Sequence, residues 1–451
     1  NLKSKHGLKF AYPDSSFMTV FSDGDTLSCY LSLERTCKDI ARYSEQDAEA
    51  YWKFAKWMEK LEPIFAMSLG KPPLPFGKFI TLLEQSDIGN DLVDIMFRSA
   101  YDVCLDYFTH PKVQIHFLNW CAEMSVGIED KTTGITLPLL IGASHSKPAG
   151  IAIGGTASIS YSMVASIKEH GGEIRFNTRV TKVINENGSA RRVTLEDGNE
   201  ITAKHAVIAA IHPHMLGDYV DGIDPKLVEK AKKTESSTHS GVLIHAALNE
   251  APIWRAGDAP NHCACVNMVD YPGMDDFRRV FDEMRYGLMP SHFTGYVSTN
   301  TLHDPSRAPE GKHTLYYYSY APLKLAKGGH EGWDDVIEER KDWMMKQLHR
   351  YVSNMDDSNI LKLTADSPLD MSRHSPSFRN GDVVGIAMYI YQFFARRPTP
   401  ELANYRVPGA QGLYLSGPFM HPGGGITGGG RATSLTVMKD LGVKYHHVIT
   451  S

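Results

Sequence analysis

Apolar residues in the first third of the chain recur at two different spacings. Phe17-Met18-Thr19-Val20-Phe21 and Thr26-Leu27-Ser28-Cys29-Tyr30-Leu31 are β-rich runs that flank Ser22-Asp23-Gly24-Asp25. An Asp-Gly turn between two such runs predicts a hairpin. Ser44 then reads as a helix N-cap with Asp47 in the first turn, and the apolar positions change to helical spacing at Tyr51, Phe54, Ala55, Met58 and Leu61. This pattern continues to about residue 130, and Pro72, Pro73 and Pro75 break it near its middle.

Strand and helix signals alternate from 148 to 216. Gly154-Gly155-Thr156 leads into a helix over Ala157 to Glu169, and Gly171-Gly172 stops it. Glu173 to Phe176 and Thr178 to Ile184 read as strands, with Asn187-Gly188 and Asp197-Gly198 turning around Arg192-Val193-Thr194-Leu195. Ala206 to Ile211 is a continuous apolar run, the pattern of a strand buried on both faces, and His212-Pro213 ends it. Asn187-Gly188-Ser189 also fits a glycosylation sequon, but a turn explains it.

Between 217 and 375 the signals are Val242 to Leu248 and Thr314 to Tyr320 as strands, and Trp333 to Val352 as a helix. They suit a domain with a mixed or antiparallel sheet. Tyr316, Tyr317, Tyr318 and Tyr320 crowd one strand, as core material or as the lining of an apolar pocket.

Composition changes this picture little. At 451 residues the chain exceeds one ordinary core, and a net charge of −5 gives no footprint for nucleic acid. Six scattered cysteines fit a reduced, cytoplasmic setting, with peripheral contact with a membrane left open. His262-Cys263-Ala264-Cys265 lacks a second ligand pair at zinc spacing and reads as a strand, so no metal is assigned.

The densest signal lies at 412–432. Leu413 to Leu415 is a short strand, followed by Ser416-Gly417-Pro418-Phe419-Met420-His421-Pro422-Gly423-Gly424-Gly425-Ile426-Thr427-Gly428-Gly429-Gly430-Arg431 and a helix over Ala432 to Leu441. A strand, a glycine-rich turn and a helix N-terminus direct several backbone N–H groups at one point, which suits an electron-rich ring or a phosphate. Gly-x-x-x-His-Pro-Gly-Gly-Gly-x-x-Gly resembles the C-terminal signature of phytoene desaturase-like flavoproteins. That family includes carotenoid desaturases and isomerases, retinol saturases and pyridine nucleotide-disulphide oxidoreductase domain type 2 proteins. The order of signals at 148–213, the hairpin and helix start at 17–51, and Gln392 with Arg396-Arg397-Pro398-x-Pro400 are similar to the same family.

The resemblance implies an FAD-dependent oxidoreductase that removes hydride from, or isomerises, an apolar carbon skeleton, with oxygen or a quinone as electron acceptor. It implies an α/β (α+β) fold, in which a Rossmann-like FAD domain of the glutathione-reductase type interleaves with a mixed-sheet substrate domain and a helical cap. Residues 1–44 then follow an FAD-binding βαβ unit expected upstream of Asn1, 45–147 form the cap, 148–216 and 376–451 the FAD domain, and 217–375 the substrate domain. The FAD contacts expected from it are Gly417, Gly423, Gly424, Gly425, Ile426, Thr427 and Arg431 at the flavin and Val180 at the adenine, with Gln392 and Arg396 facing substrate. His421, beside the flavin loop, is the candidate proton acceptor. Two rivals stay open: an amine oxidase-like flavoenzyme, and a non-catalytic protein that keeps the fold. The oligomeric state is open.

Overall fold

The computed structural model describes residues 2–68, 70–424 and 428–444. Fourteen strands lie among them: β1 (Phe10–Ala11), β2 (Ser15–Phe21), β3 (Thr26–Tyr30), β4 (Ile151–Ala152), β5 (Val180–Glu186), β6 (Ser189–Leu195), β7 (Glu200–Thr202), β8 (Val207–Ala209), β9 (Ser240–Leu248), β10 (Val266–Asp270), β11 (Phe293–Ser298), β12 (His313–Ala321), β13 (Ile360–Asp366) and β14 (Leu413–Leu415).

The largest sheet has seven strands in the order β13-β9-β12-β11-β10-β2-β3. All neighbours in it are antiparallel except β10 and β2. The Asp23-Gly24 hairpin forms as expected, with Gly24 at φ +91°. Its two strands extend the sheet of the 217–375 segment, to which they are joined by Val266↔Met18 through Val269↔Phe21. Each face of this sheet buries its own core. On one side Phe17, Phe21, Tyr296 and Tyr320 meet cap residues such as Tyr51, Phe54, Phe108 and Phe117. On the other, Val242, Ile244, Leu315 and Tyr317 meet Trp333, Met344 and Leu348 of the Trp333–Tyr351 helix.

The cap consists of the helices Glu45–Ser68, Phe76–Leu83, Asp87–Phe97, Ala100–Tyr107, Pro111–Ala122 and Thr136–Ser146. Ser44 caps the first of them through the Asp47 N–H (3.0 Å). The buried Asp47 carboxylate then accepts the Thr109 and His110 backbone N–H groups and the Thr109 hydroxyl, tying the first cap helix to a segment 62 residues away. The prolines at 72–75 lie between helices, where a missing N–H costs nothing.

The remaining strands form three small sheets, of which β1 and β4 make one antiparallel pair. β14 and β8 pair in parallel, Leu413↔Val207 to Leu415↔Ala209, and β5, β6 and β7 form an antiparallel meander. Asn187 (φ +51°) and Gly188 (φ +79°) make the β5–β6 turn. Three expectations need correction. The run 206–211 is a three-residue strand whose Ile208 is 51% exposed, since among the described residues it pairs only with β14. Glu173 to Phe176 forms no strand, and Phe176 is exposed. Cys263 makes an isolated bridge with Ser15, and the strand begins only at Val266.

Candidate active site

Ligands of open α/β sheets bind outside the carboxyl ends of the strands. Here those ends belong to β8 and β14, and the Ser416 N–H donates to the Ala209 carbonyl (3.0 Å), extending the ladder one residue further. Beyond it the chain takes up backbone conformations that favour glycine: Gly417 has φ +107°, Gly423 +97° and Gly424 +37°. A Cβ on Gly423 would lie 3.1 Å from Arg397 Nε and 3.2 Å from its Cζ, whereas one on Gly424 would meet no described residue within 4 Å. Gly423 therefore packs inward onto a guanidinium and Gly424 opens outward. The loop ends in the Gly429–Asp440 helix, which begins three residues earlier than its apolar pattern indicates. Among the described residues no side chain caps its N-terminus, which leaves the positive dipole end available to an electron-rich group.

Arg397 underlies this loop. Its side chain is fully buried, with Nη1 donating to the Ile386 carbonyl (3.1 Å) and Nη2 to the Pro418 carbonyl (3.0 Å). Nε has no partner among the described residues. Burial lowers the guanidinium pKa to about 10, against the attraction of Asp382. Phe394 is a second unforeseen feature. A bulky side chain at φ +48° is strained backbone, and its ring stands between Phe79 (4.6 Å) and His421 (6.1 Å). Tyr405, also at positive φ (+68°) and fully buried, donates its hydroxyl to the His421 carbonyl (3.1 Å). Sequence carried one faint signal for these residues, the Arg-Pro pair two residues before Pro400.

His421 is buried in the loop, between Phe394 and the Tyr405 hydroxyl. Gln392 is fastened to the protein itself: its Nε2 donates to the carbonyls of Glu235 (3.2 Å) and Ala387 (3.4 Å), and its Oε1 accepts the Glu235 N–H (2.7 Å). Arg396 lies over the Phe76 ring (5.9 Å) and donates to the Tyr391 carbonyl (3.3 Å), so the buried guanidinium is one residue further on. Arg431 donates to the Gly70 carbonyl (3.1 Å), linking the glycine loop to the end of the first cap helix. Val180 is half-buried at the start of β5, opposite Leu195. Gly425, Ile426 and Thr427 lie outside the described residues.

His212, at the end of β8, sits within the same layer. Its Nε2 faces the Gly385 carbonyl (2.7 Å), its ring tilts against Phe419 (4.8 Å), and burial holds its pKa down at about 3, so it is neutral.

The tyrosines of β12 are sorted by strand alternation. Tyr317 points into the far core and donates its hydroxyl to Met344 O, while Tyr316, Tyr318 and Tyr320 point toward the cap. Among the described residues no cluster of three His, Cys, Asp or Glu side chains is arranged to hold a metal ion. No helix among them is long and apolar enough to cross a membrane.

Residues 13–365 match the family described as flavin containing amine oxidoreductase. The chain is 23% identical over 458 residues to a limonene dehydrogenase component of Castellaniella defragrans, a match covering 97% of this chain and 82% of that one. It is 24% identical over 487 residues to pyridine nucleotide-disulfide oxidoreductase domain-containing protein 2 of Mus musculus, covering 97% and 81%. Among solved structures, a putrescine oxidase triple mutant from a redesign of cofactor binding superposes with a TM-score of 0.58 at 13% identity. That superposition covers 100% of this chain and 85% of that one, and shows a shared fold. The chain belongs to the flavin containing amine oxidoreductase family and falls among its phytoene desaturase-like members. It is an FAD-dependent oxidoreductase.

The residues present fit that cofactor. Among the described residues nothing lies within 4 Å of a Cβ on Gly424, no side chain caps the helix behind it, and the buried arginine beneath the loop keeps an unpartnered Nε. Each complements an electron-rich ring.

Proposed function

We propose that the protein dehydrogenates an apolar carbon skeleton, making a carbon–carbon double bond, and that its flavin is reoxidised by oxygen or a quinone. The observation that carries this reading is the apolar setting of the glycine loop. Phe79, Ile390, Phe393 and Phe394 form one buried cluster with Met58, Leu61 and Leu83 of the cap, and Phe394 faces His421. Dehydrogenation of a hydrocarbon needs such a wall, because nothing charged is available to orient the substrate and water has to be excluded. The name of the Castellaniella relative, a dehydrogenase of the hydrocarbon limonene, supports the same substrate class.

Within this reading the loop 417–424 and the N-terminus of the Gly429–Asp440 helix hold the isoalloxazine ring, and Val180 lies near the adenine. Bound FAD supplies the hydride acceptor, which no side chain can. Arg397 keeps the loop from collapsing by filling the space beneath Gly423. His421 takes the proton lost from the carbon next to the one that gives up hydride, and the Tyr405 hydroxyl holds its backbone in place. Gln392 and Arg396 bear on substrate by fixing the backbone of the 387–396 segment. The rival is an amine oxidase-like flavoenzyme. Anaerobic mixing of holoenzyme with monoterpene hydrocarbons and with alkyl amines separates the two: bleaching of the flavin by hydrocarbons supports this reading, and bleaching by amines alone overturns it.

A further inference from the structure

We propose that a cavity on the face of the seven-stranded sheet away from the cap binds an apolar monocarboxylate, such as a fatty acid, with Arg340 as its anion partner. Its lining shares no residue with the glycine loop, and the inference does not depend on the reaction proposed above.

The cavity, of about 760 Å³, lies between the Trp333–Tyr351 helix and two loops, 287–291 and 325–332. That volume is in the range of small-molecule sites. Leu288, Met289, Pro290, Leu325, Val336 and Trp343 make its walls apolar. The loops are fastened in place. The Ala326 N–H donates to the Gly287 carbonyl (2.9 Å), and a Cβ on Gly287, at φ +76°, would lie 2.5 Å from that nitrogen. The Ser291 N–H donates to the Glu283 carboxylate (2.7 Å), and His330 reaches the Leu323 carbonyl (2.9 Å) and the Ser372 hydroxyl (3.0 Å). The space is therefore built into the fold.

Arg340 stands in the same lining and is only 6% exposed. Its Nη2 donates to Ser319 Oγ and to the Tyr320 carbonyl, each at 3.2 Å, and its Cζ lies 4.0 Å from the centre of the Trp343 ring. These contacts supply acceptors to one guanidinium nitrogen of three. Nε is enclosed without a partner among the described residues. Nη1 has none either and is not enclosed, so it opens to the cavity.

The charge is unmatched as well. Glu338 is taken by Lys341, while Asp335 and Glu339 are exposed at the mouth and form no ion pair with Arg340. The other buried arginine, Arg397, feels the attraction of Asp382, whereas Arg340 feels no carboxyl and burial lowers it to about 10. A buried cation without a counter-ion is costly, and exposed, screened charges at a mouth weigh little against it. The site therefore favours an anion. One planar guanidinium matches one singly charged carboxylate, and the walls match an apolar body behind it.

The test is calorimetry of flavin-loaded holoenzyme at pH 7.5 with decanoate, 1-decanol and decylamine, which share one chain length. Decanoate is expected to bind tighter than 1-decanol by about tenfold, with decylamine weakest. Arg340→Met keeps the length of the side chain and should erase that preference. Val336→Glu sets an acid one helical turn from Arg340, supplies the missing anion from within, and should erase it too while the fold is kept. The flavin bands should stay in place as decanoate saturates. Four results overturn the proposal: decanoate binding no tighter than 1-decanol, decylamine binding tighter than decanoate, either folded variant keeping the preference, or flavin bands that shift in step with decanoate binding. Failure of the hydrocarbon reaction changes none of these readouts.

Discussion

The glycine loop and the polar cluster around Glu123, under the cap, are built by opposite means. Around the loop the determinants are backbone: positive φ at Gly417, Gly423 and Gly424, the uncapped helix end, and carbonyls that Arg397 and Tyr405 gather from neighbouring turns. The cluster under the cap depends on side chains from distant segments: the Tyr296 and Tyr320 hydroxyls both donate to the Asn119 carbonyl, His239 Nε2 faces the Ala122 carbonyl, and burial pushes the neighbouring Glu123 carboxyl up to about 7. A site made of backbone tolerates little change of residue type at a few positions and is indifferent elsewhere. One made of side chains is set by protonation and can be retuned residue by residue.

The largest way to strain both regions at once is acid. His116, His212 and His239 are buried and neutral, with pKa values held by burial at about 3, about 3 and about 4 against an ordinary 6.5. These values are depressed, so the unfolded chain binds the extra protons. Stability is fully present above pH 6.5 and falls as pH drops toward 4. By pH 5 each histidine costs about 2 kcal/mol, enough together to remove much of the stability of an ordinary domain. Chemical denaturation at pH 7 and pH 5 measures it; a difference under about 1 kcal/mol contradicts the burial of these rings. His212 belongs to the loop side and His239 to the cluster under the cap. His212→Asn and His239→Asn each should remove a share of the acid sensitivity, if both regions contribute.

A smaller, sharper test separates the two glycines. Gly423→Val drives a side chain into Arg397 as well as forcing φ +97° on a branched residue, and should cost about 1–3 kcal/mol together with the flavin. In Gly424→Val the new side chain meets no described residue within 4 Å, so only the backbone strain of φ +37° is added, about 1–2 kcal/mol, while flavin absorption in the purified protein falls at least tenfold. Both variants retaining flavin would place the ring elsewhere.

The same contrast explains what was legible in the sequence. Turns and caps were, because Asp23-Gly24, Asn187-Gly188, Ser44 and the glycine block each act within a few residues of themselves. Placement across the chain was not. Nothing local distinguishes Arg396 from Arg397, yet only the latter is buried, because the side chains of adjacent residues point apart. The apolar run at 206–211 promised a covered strand, but Ile208 is open because hydrophobicity reports what a strand can bury, and here its described partner is β14 alone. Strand alternation separated Tyr317 from Tyr316 and Tyr318 in a way that a count of tyrosines could not. Glu123 carried no signal at all, since its neighbours are assembled only when the cap closes on the sheet.

The smallest expected effect sharpens the comparison from the side of the cluster under the cap. The Glu123 pKa is raised, from an ordinary 4.5 to about 7, so the folded state holds its proton more tightly than the unfolded chain. Its contribution is therefore full below pH 4.5 and lost as pH rises through 7, opposite in sign to that of the histidines. Between pH 4.5 and 7.5 the loss amounts to at most about 3 kcal/mol, and less where water reaches the carboxyl. In wild type this trend is masked by the histidines, which gain stability over the same window. Subtracting wild type from Glu123→Gln cancels them. The difference in unfolding free energy should climb steadily from pH 4.5 to 7.5, in favour of the variant, and then level off. A flat difference would mean that the carboxyl is solvated like an ordinary surface glutamate. The region under the cap would then be open to water and would lose the dry, protonation-set character that separates it from the glycine loop.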